Sequence, residues 1–282
     1  MKNLLIATDL SPRSDRALHR AINLALDKNY NLHVIHVVDE DLPDTVASTI
    51  KKEAEETIPE QIKSFKSRLK IRVIIKVIIG KHYEAILSES EKINAKAIIL
   101  GTPKKETLKD FFIGSTAEKV VRSSNVPVIV VKNASMKKYK RAVVAIDFSV
   151  YSRRCLDFAL DFFANEEIYL VHYYHIPYKL IIESSHITHK AKRDQKRGFL
   201  NMVNQEMTYF LKSIEKDTRN INIIIKEGPV NDCLNNEIKR LKADLLILGT
   251  HGRTGMSRAL IGSVANFMLT TSKCDIAMVK AW

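Results

Sequence analysis

Short apolar runs punctuate this 282-residue chain, and between them apolar residues recur at helical spacing. Leu4-Leu5-Ile6-Ala7 runs into Asp9, after which Ala17, Leu18, Ala21, Leu24 and Ala25 share one helical face. The β-formers Leu32-His33-Val34-Ile35-His36-Val37-Val38 follow, then a long polar helical region. Residues 73–79 make another apolar run before Gly80, residues 97–100 one before Gly101, and residues 126–131 the last. This order predicts β-α-β-α-β-α-β-α-β.

The same order then repeats. Val143-Val144-Ala145-Ile146 runs into Asp147, and Leu156, Ala159, Leu160 and Phe163 make the next apolar helical face. Residues 168–174, 221–225, 245–248 and 274–279 supply the remaining strands. Gly101 and Gly249 differ by 148 in numbering, as do Gly80 and Gly228, whereas Asp9 and Asp147 differ by 138. The second copy is therefore the longer, with its insert around residues 176–197. The expected domains are 1–132 and 141–282, joined by residues 133–140.

Most strands are continuously apolar rather than alternating, as in a parallel sheet covered by helices on both faces. The expected fold is α/β: two tandem doubly wound domains, each with a five-stranded parallel sheet in the order 3-2-1-4-5, packed as a pseudo-symmetric pair. In that order the connections reverse beside strands 1 and 4, and ligands bind at the carboxyl ends of those strands. The last strand of each copy is an apolar edge that needs cover. Residues 276–279 and 128–131 are expected to pair or pack together, within the chain or across a homodimer.

Composition narrows the class. Apolar residues make up 45% of the chain, enough for real cores, yet no run approaches the ~20 residues of a membrane helix. The amino terminus reaches Asp9 too early for a secretory leader, so the expected location is the cytoplasm with no membrane partner. Cys155, Cys233 and Cys274 are scattered and read as reduced core residues. His186 and His189 lack the further ligands a metal site requires. The net charge of +13 favours polyanions. Its densest clusters, Lys137 to Arg141 and Lys190 to Arg197, hold a single aromatic, Tyr139, too few for a single-strand stacking platform, and read as solvated surface.

The strongest chemical signal closes the second copy. Gly249-Thr250-His251-Gly252 follows the strand, and nine residues later Gly262-Ser263 opens a helical segment. Amides on such a loop and at a helix start form an anion nest, suited to a nucleotide phosphate. The order of elements places Asp147 in the same crevice.

Gly249, Gly252, Gly262 and Ser263, with Asp147 after the first strand and Asp244 before the fourth, make the chain similar to tandem universal stress proteins over nearly its whole length. The resemblance implies that the second domain binds ATP with Mg²⁺. It places Asp147 near the ribose or a phosphate-bound metal, Tyr173 at the adenine, and Leu248 and Gly249 by the ribose. Gly252, Gly262, Ser263, Val264 and Ala265 then surround the phosphates. His251 and Arg253 in the same loop offer positive charge. Glycine there either lets amides approach phosphate or supplies a positive φ, and the Ser263 hydroxyl is expected to cap its helix.

The first copy reads Gly101-Thr102-Pro103-Lys104, with Gly114-Ser115 downstream. Lys104 stands at the second glycine and Pro103 lacks an N–H, so this copy is expected to be a degenerate nucleotide site. The alternative is that Lys104 and Lys105 bind another anion. No Walker A lysine, HExxH or Ser-His-Asp order is present, so catalysis is expected to be at most weak ATP hydrolysis. The expected action is regulatory binding in the stress response, with protein partners unnamed. Two alternatives are a slow ATPase or nucleotide-transferring enzyme, and a nucleic-acid-associated protein using the basic surface.

Overall fold

The computed structural model describes residues 1–63, 65, 71–102, 115–133, 137–163, 165–176, 189–218, 221–252 and 261–280. The first half runs β1 (Asn3–Thr8), α1 (Pro12–Lys28), β2 (Asn31–Val38), α2 (Asp44–Lys63), β3 (Val73–Ile79), α3 (His82–Lys92), β4 (Ala95–Gly101), α4 (Ser115–Ser123) and β5 (Val128–Val131). The second repeats it as β6 (Arg141–Ala145), α5 (Val150–Phe162), β7 (Glu167–Tyr174), α6 (His189–Lys212), β8 (Ile221–Glu227), α7 (Val230–Leu241), β9 (Leu245–Gly249), α8 (Ser263–Thr271) and β10 (Asp275–Val279).

The strands form a sheet in the order β3-β2-β1-β4-β5-β10-β9-β6-β7-β8. Within each half every pairing is parallel. The halves join where β5 and β10 pair antiparallel, with Ala277 opposite Ile129. The expected cover for the two apolar edges is thus supplied inside the chain. In consequence the two five-stranded sheets are continuous, which departs from the two separate sheets expected. Because the joint is antiparallel, the carboxyl ends of the two sets of parallel strands point to opposite edges of the sheet.

Side chains of successive strand residues face opposite ways, so each strand feeds two layers. Leu4 and Ile6 belong to one layer of the core, which runs across both halves and includes Leu18, Ile58, Leu156 and Phe210 of α1, α2, α5 and α6. Leu5 belongs to the layer on the other face, which includes Ile86, Val120, Leu234 and Met268 of α3, α4, α7 and α8. Both faces being covered explains the continuous apolar runs. Ser11 and Ser149 cap α1 and α5 by accepting from the amides of Ser14 and Ser152. Among the described residues no helix is long and apolar enough to cross a membrane. Cys155 and Cys274 are buried free thiols, and burial pushes Cys274 up to about 11.

A buried polar hub locks the joint between the halves. The fully buried Asp275, which opens β10, accepts from the amides of Lys132 and Asn133 at 2.8 and 2.9 Å. Its other oxygen accepts from the Tyr139 hydroxyl at 2.7 Å and Arg20 Nε at 3.0 Å. Arg20 reaches there from α1 and lies over the Tyr139 ring. Asp244 does a smaller structural task, accepting from the amides of Lys140 and Arg141 where β6 begins.

Candidate functional site

At the carboxyl ends of β6 and β9, the strands beside the reversal, lies a cleft of about 360 Å³, within the usual size of small-molecule sites. Its lining includes Asp147, Tyr173, Leu248, Gly249, His251, Gly252, Gly262, Ser263, Val264 and Ala265. The structure therefore brings together every expected site residue except Arg253, which lies outside the described residues.

Local sequence sets the carboxylate. Asp147 Oδ1 accepts from the Ser149 amide at 3.1 Å and the Ser152 hydroxyl at 2.7 Å, and Ser152 accepts in turn from the Asp147 amide. This Asx turn carries Phe148 at φ 62°. His172 Nδ1 donates to the Ile146 carbonyl at 2.9 Å, tying β7 to the chain just past β6. Ser152 was not expected at the site. Its signal was present, because Asp-x-Ser-x-x-Ser occurs in both copies at Asp9 and Asp147.

The glycines are favoured by space rather than by φ, since none of the three has a positive value. A Cβ on Gly249 would lie 2.9 Å from Tyr151 Cβ and 3.0 Å from the His251 carbonyl oxygen. On Gly252 it would lie 2.8 Å from Asp147 Oδ2. On Gly262 it would lie 3.3 Å from the Thr250 carbonyl oxygen.

Two details correct the sequence reading. Ser263 does not cap α8: Gly262 is the N-cap, without a side-chain bond, and Ser263 is the exposed first helical residue. The Gly262 amide is also spent, donating to the Thr250 carbonyl at 2.7 Å. The amides of Ser263, Val264 and Ala265 open α8, where the first N–H groups of a helix have no intrahelical acceptor.

Tyr173 presents its ring to the cleft while its hydroxyl bonds the Cys233 carbonyl and Glu237. Burial first, then the Glu237 charge, raises the phenol well above its usual range. Glu237 also receives Lys226 at 2.7 Å and Arg240 Nε at 2.7 Å. Tyr173 is thus held as a neutral, fixed wall.

The first half has a cleft of about 340 Å³ at the matching place, lined by Asp9, Val37, His82, Gly101 and Thr102 among others. Leu10 sits at φ 61°, the Ser11 amide donates to Asp9, and His36 bonds the Thr8 carbonyl, repeating the second half. Burial disfavours the Asp9 carboxylate, but bonds from Ser11 and Ser14 outweigh it and hold the group below its usual range. Val37 stands where the second cleft has Tyr173, and His82 where it has Val230. Pro103, Lys104, Lys105 and Gly114 lie outside the described residues.

Comparison with known proteins follows the same division. The universal stress protein family matches at residues 1–132 and again at 138–280. Universal stress protein E of Photorhabdus laumondii is 24% identical over 303 aligned positions, covering 99% of this chain and 95% of that one. A universal stress protein of Methanocaldococcus jannaschii is 29% identical over 140 residues, 46% of this chain and 82% of its own. The crystal structure of a universal stress protein from Archaeoglobus fulgidus matches the fold with a TM-score of 0.70 at 20% identity, covering 99% of this chain and 98% of that one. With the family's domain matched twice across nearly its full length, this chain belongs to the universal stress protein family.

Proposed function

We propose that the second domain, residues 141–282, binds ATP with Mg²⁺ in the cleft at β6 and β9, and that the chain is a regulatory nucleotide-binding module. The observation that carries this reading is the glycine cradle. At Gly249 and Gly252 a Cβ would strike Tyr151 or Asp147, and at Gly262 it would crowd the Thr250 carbonyl, so the three glycines leave the cleft open for backbone to approach a bound group. The exposed Ser263 hydroxyl and the amides opening α8 supply donors, and the positive helix end favours an anion. Tyr173 and Leu248 offer apolar surface to a base, and Asp147 an acceptor to ribose hydroxyls.

The bound nucleotide supplies the polyphosphate that Mg²⁺ prefers. Among the described residues no group of three or more His, Cys, Asp or Glu could hold a metal alone. A single carboxylate, Asp147, fits the habit of Mg²⁺ to bind phosphates, waters and one or two carboxylates. The first domain, residues 1–132, keeps Asp9 and an open cleft but has Pro103 and Lys104 in its loop. In this reading it is a degenerate site with a structural or interaction role.

The test is calorimetric titration of the purified chain with ATP and Mg²⁺. One ATP per chain is expected, and no heat of binding would overturn the reading. Hydrolysis is expected to be slower than about one turnover per minute, far below the ordinary enzyme range of roughly 1–10³ s⁻¹. The reason is that no positioned base or lysine clamp faces the nest among the described residues. Release of phosphate near 1 s⁻¹, abolished by Asp147→Ala, would make the protein an enzyme instead.

A further inference from the structure

The joint between the halves has two sides, and the chain fills them unequally. Ile129 and Ala277, opposite each other in the β5–β10 pairing, are 148 apart in numbering, the spacing that relates the closing parts of the two copies. A local twofold axis therefore passes between them. It relates Asp275 and Lys132 of the buried hub to Pro127 and Lys280, and the Asp9–Asp147 spacing relates Arg20 to Phe158. Tyr139, the aromatic member of the hub, comes from the linker, which occurs once in the chain.

On the hub side the Tyr139 ring meets Phe163 edge to face at 5.7 Å and lies 4.2 Å from the Arg20 guanidinium. The space left beside it is about 10 Å³. On the other side a cleft of about 330 Å³ remains, within the size range of small-molecule sites. Pro127, Phe158 and Lys280 all line it, so it is the hub's counterpart without the inserted ring. It shares no described lining residue with the clefts at Asp9 and Asp147.

The lining sets the chemistry. Tyr30, Phe158 and Phe162 give the cleft an aromatic side, with Tyr30 and Phe162 edge to face at 5.8 Å. Lys2, Lys96, Arg154 and Lys280 line it against Asp157 and Asp161. Both acids are already matched by Lys216, which is not among the lining residues and whose Nζ lies 2.9 Å from Asp161 and 3.7 Å from Asp157. Lys2, Lys96 and Lys280 are in no ion pair among the described residues: Lys280 donates to the Arg122 carbonyl, and Lys2 lies over the Tyr30 ring. A cleft lined by an excess of one charge concentrates ions of the other sign.

We propose that this cleft at the joint is a second ligand site, for a small aromatic anion. The ring takes the place that Tyr139 takes across the axis, and the acidic group meets the lysines. The site is independent of nucleotide binding.

The probe is anilinonaphthalene sulfonate, an aromatic anion whose fluorescence rises as it leaves water, with the uncharged phenylnaphthylamine beside it. Both are titrated into the unmodified chain, into Lys2→Glu with Lys96→Glu, and into Lys52→Glu with Lys239→Glu. All four lysines are exposed, so the variants should keep the unfolding midpoint. The second pair makes the same change in net charge outside the cleft. The first pair is expected to weaken the sulfonate about tenfold, since attraction becomes repulsion at two exposed positions, and Lys96→Glu alone about threefold. The uncharged dye should bind all variants alike, and the second pair should leave both dyes unchanged. Saturating ATP and Mg²⁺ should not displace the sulfonate. No binding of the sulfonate by the unmodified chain, an equal loss in the two double variants, an equal loss of both dyes, or displacement by ATP would each overturn the inference. The ATP titration is read separately, so the two readings fail independently.

Discussion

Asp275→Ala is expected to lower the stability of the chain by about 3–5 kcal/mol, the usual result of breaking a buried ion pair from one side. The carboxylate is fully buried and receives four donors, from Lys132, Asn133, Tyr139 and Arg20. Removing it leaves the Arg20 guanidinium buried beside the sheet without its counter-charge. The unfolding midpoint should fall by roughly 10 °C, given about 2–4 °C per kcal/mol for a chain of this size class. The double change Arg20→Met with Asp275→Leu should be far milder, since replacing a whole buried pair with apolar groups is often neutral. Urea unfolding of both variants checks this. Equal losses in the two would show that the hub acts through packing rather than charge.

Gly262→Val is expected to weaken ATP binding at least a hundredfold. The phosphate bonds it would obstruct are each worth roughly 1.5–3 kcal/mol when charge-assisted. The backbone at Gly262 has φ −58° and ψ 153°, a conformation valine adopts readily. The nearest atom to the new Cβ, the Thr250 carbonyl oxygen, is 3.3 Å away, so a small shift suffices and the fold should survive. The loss would then report on the nest and not on unfolding. Gly114→Val in the first domain should leave affinity nearly unchanged. Calorimetric titration of both decides the matter. Two ATP per unmodified chain, or a loss from the Gly114 change alone, would move the working site to the other half.

Much of this architecture was legible in the residues because its causes are local. Continuous apolar runs ending in Asp or Gly mark buried parallel strands, and the stripe of Ala17, Leu18, Ala21 and Leu24 marks a helix packed on them. The repeat of those signals located both clefts, and the Gly249, Gly252, Gly262 spacing picked out three residues that line the second. The chain alone also showed that the two halves differ, with Pro103 and Lys104 against His251 and Gly252.

Other properties depended on atoms distant in sequence. The edge-to-edge joint of β5 and β10 could equally have formed between two molecules. It forms within one because Arg20, Tyr139 and Asp275, separated by as many as 255 positions, converge on a single buried charge. Why glycine suits position 252 was likewise hidden, since the obstacle is Asp147 Oδ2, in the turn that follows β6, and not the glycine's own φ. The sequence by itself determined the elements, the repeat and the place of the cleft, because periodicity and turn chemistry act over a few residues. Only the tertiary structure decided which polar atoms are satisfied, from the spent amide of Gly262 to the four donors that meet on Asp275. Hydrogen bonding depends on distances of about 3 Å, and those are set by packing among all ten strands and their helices.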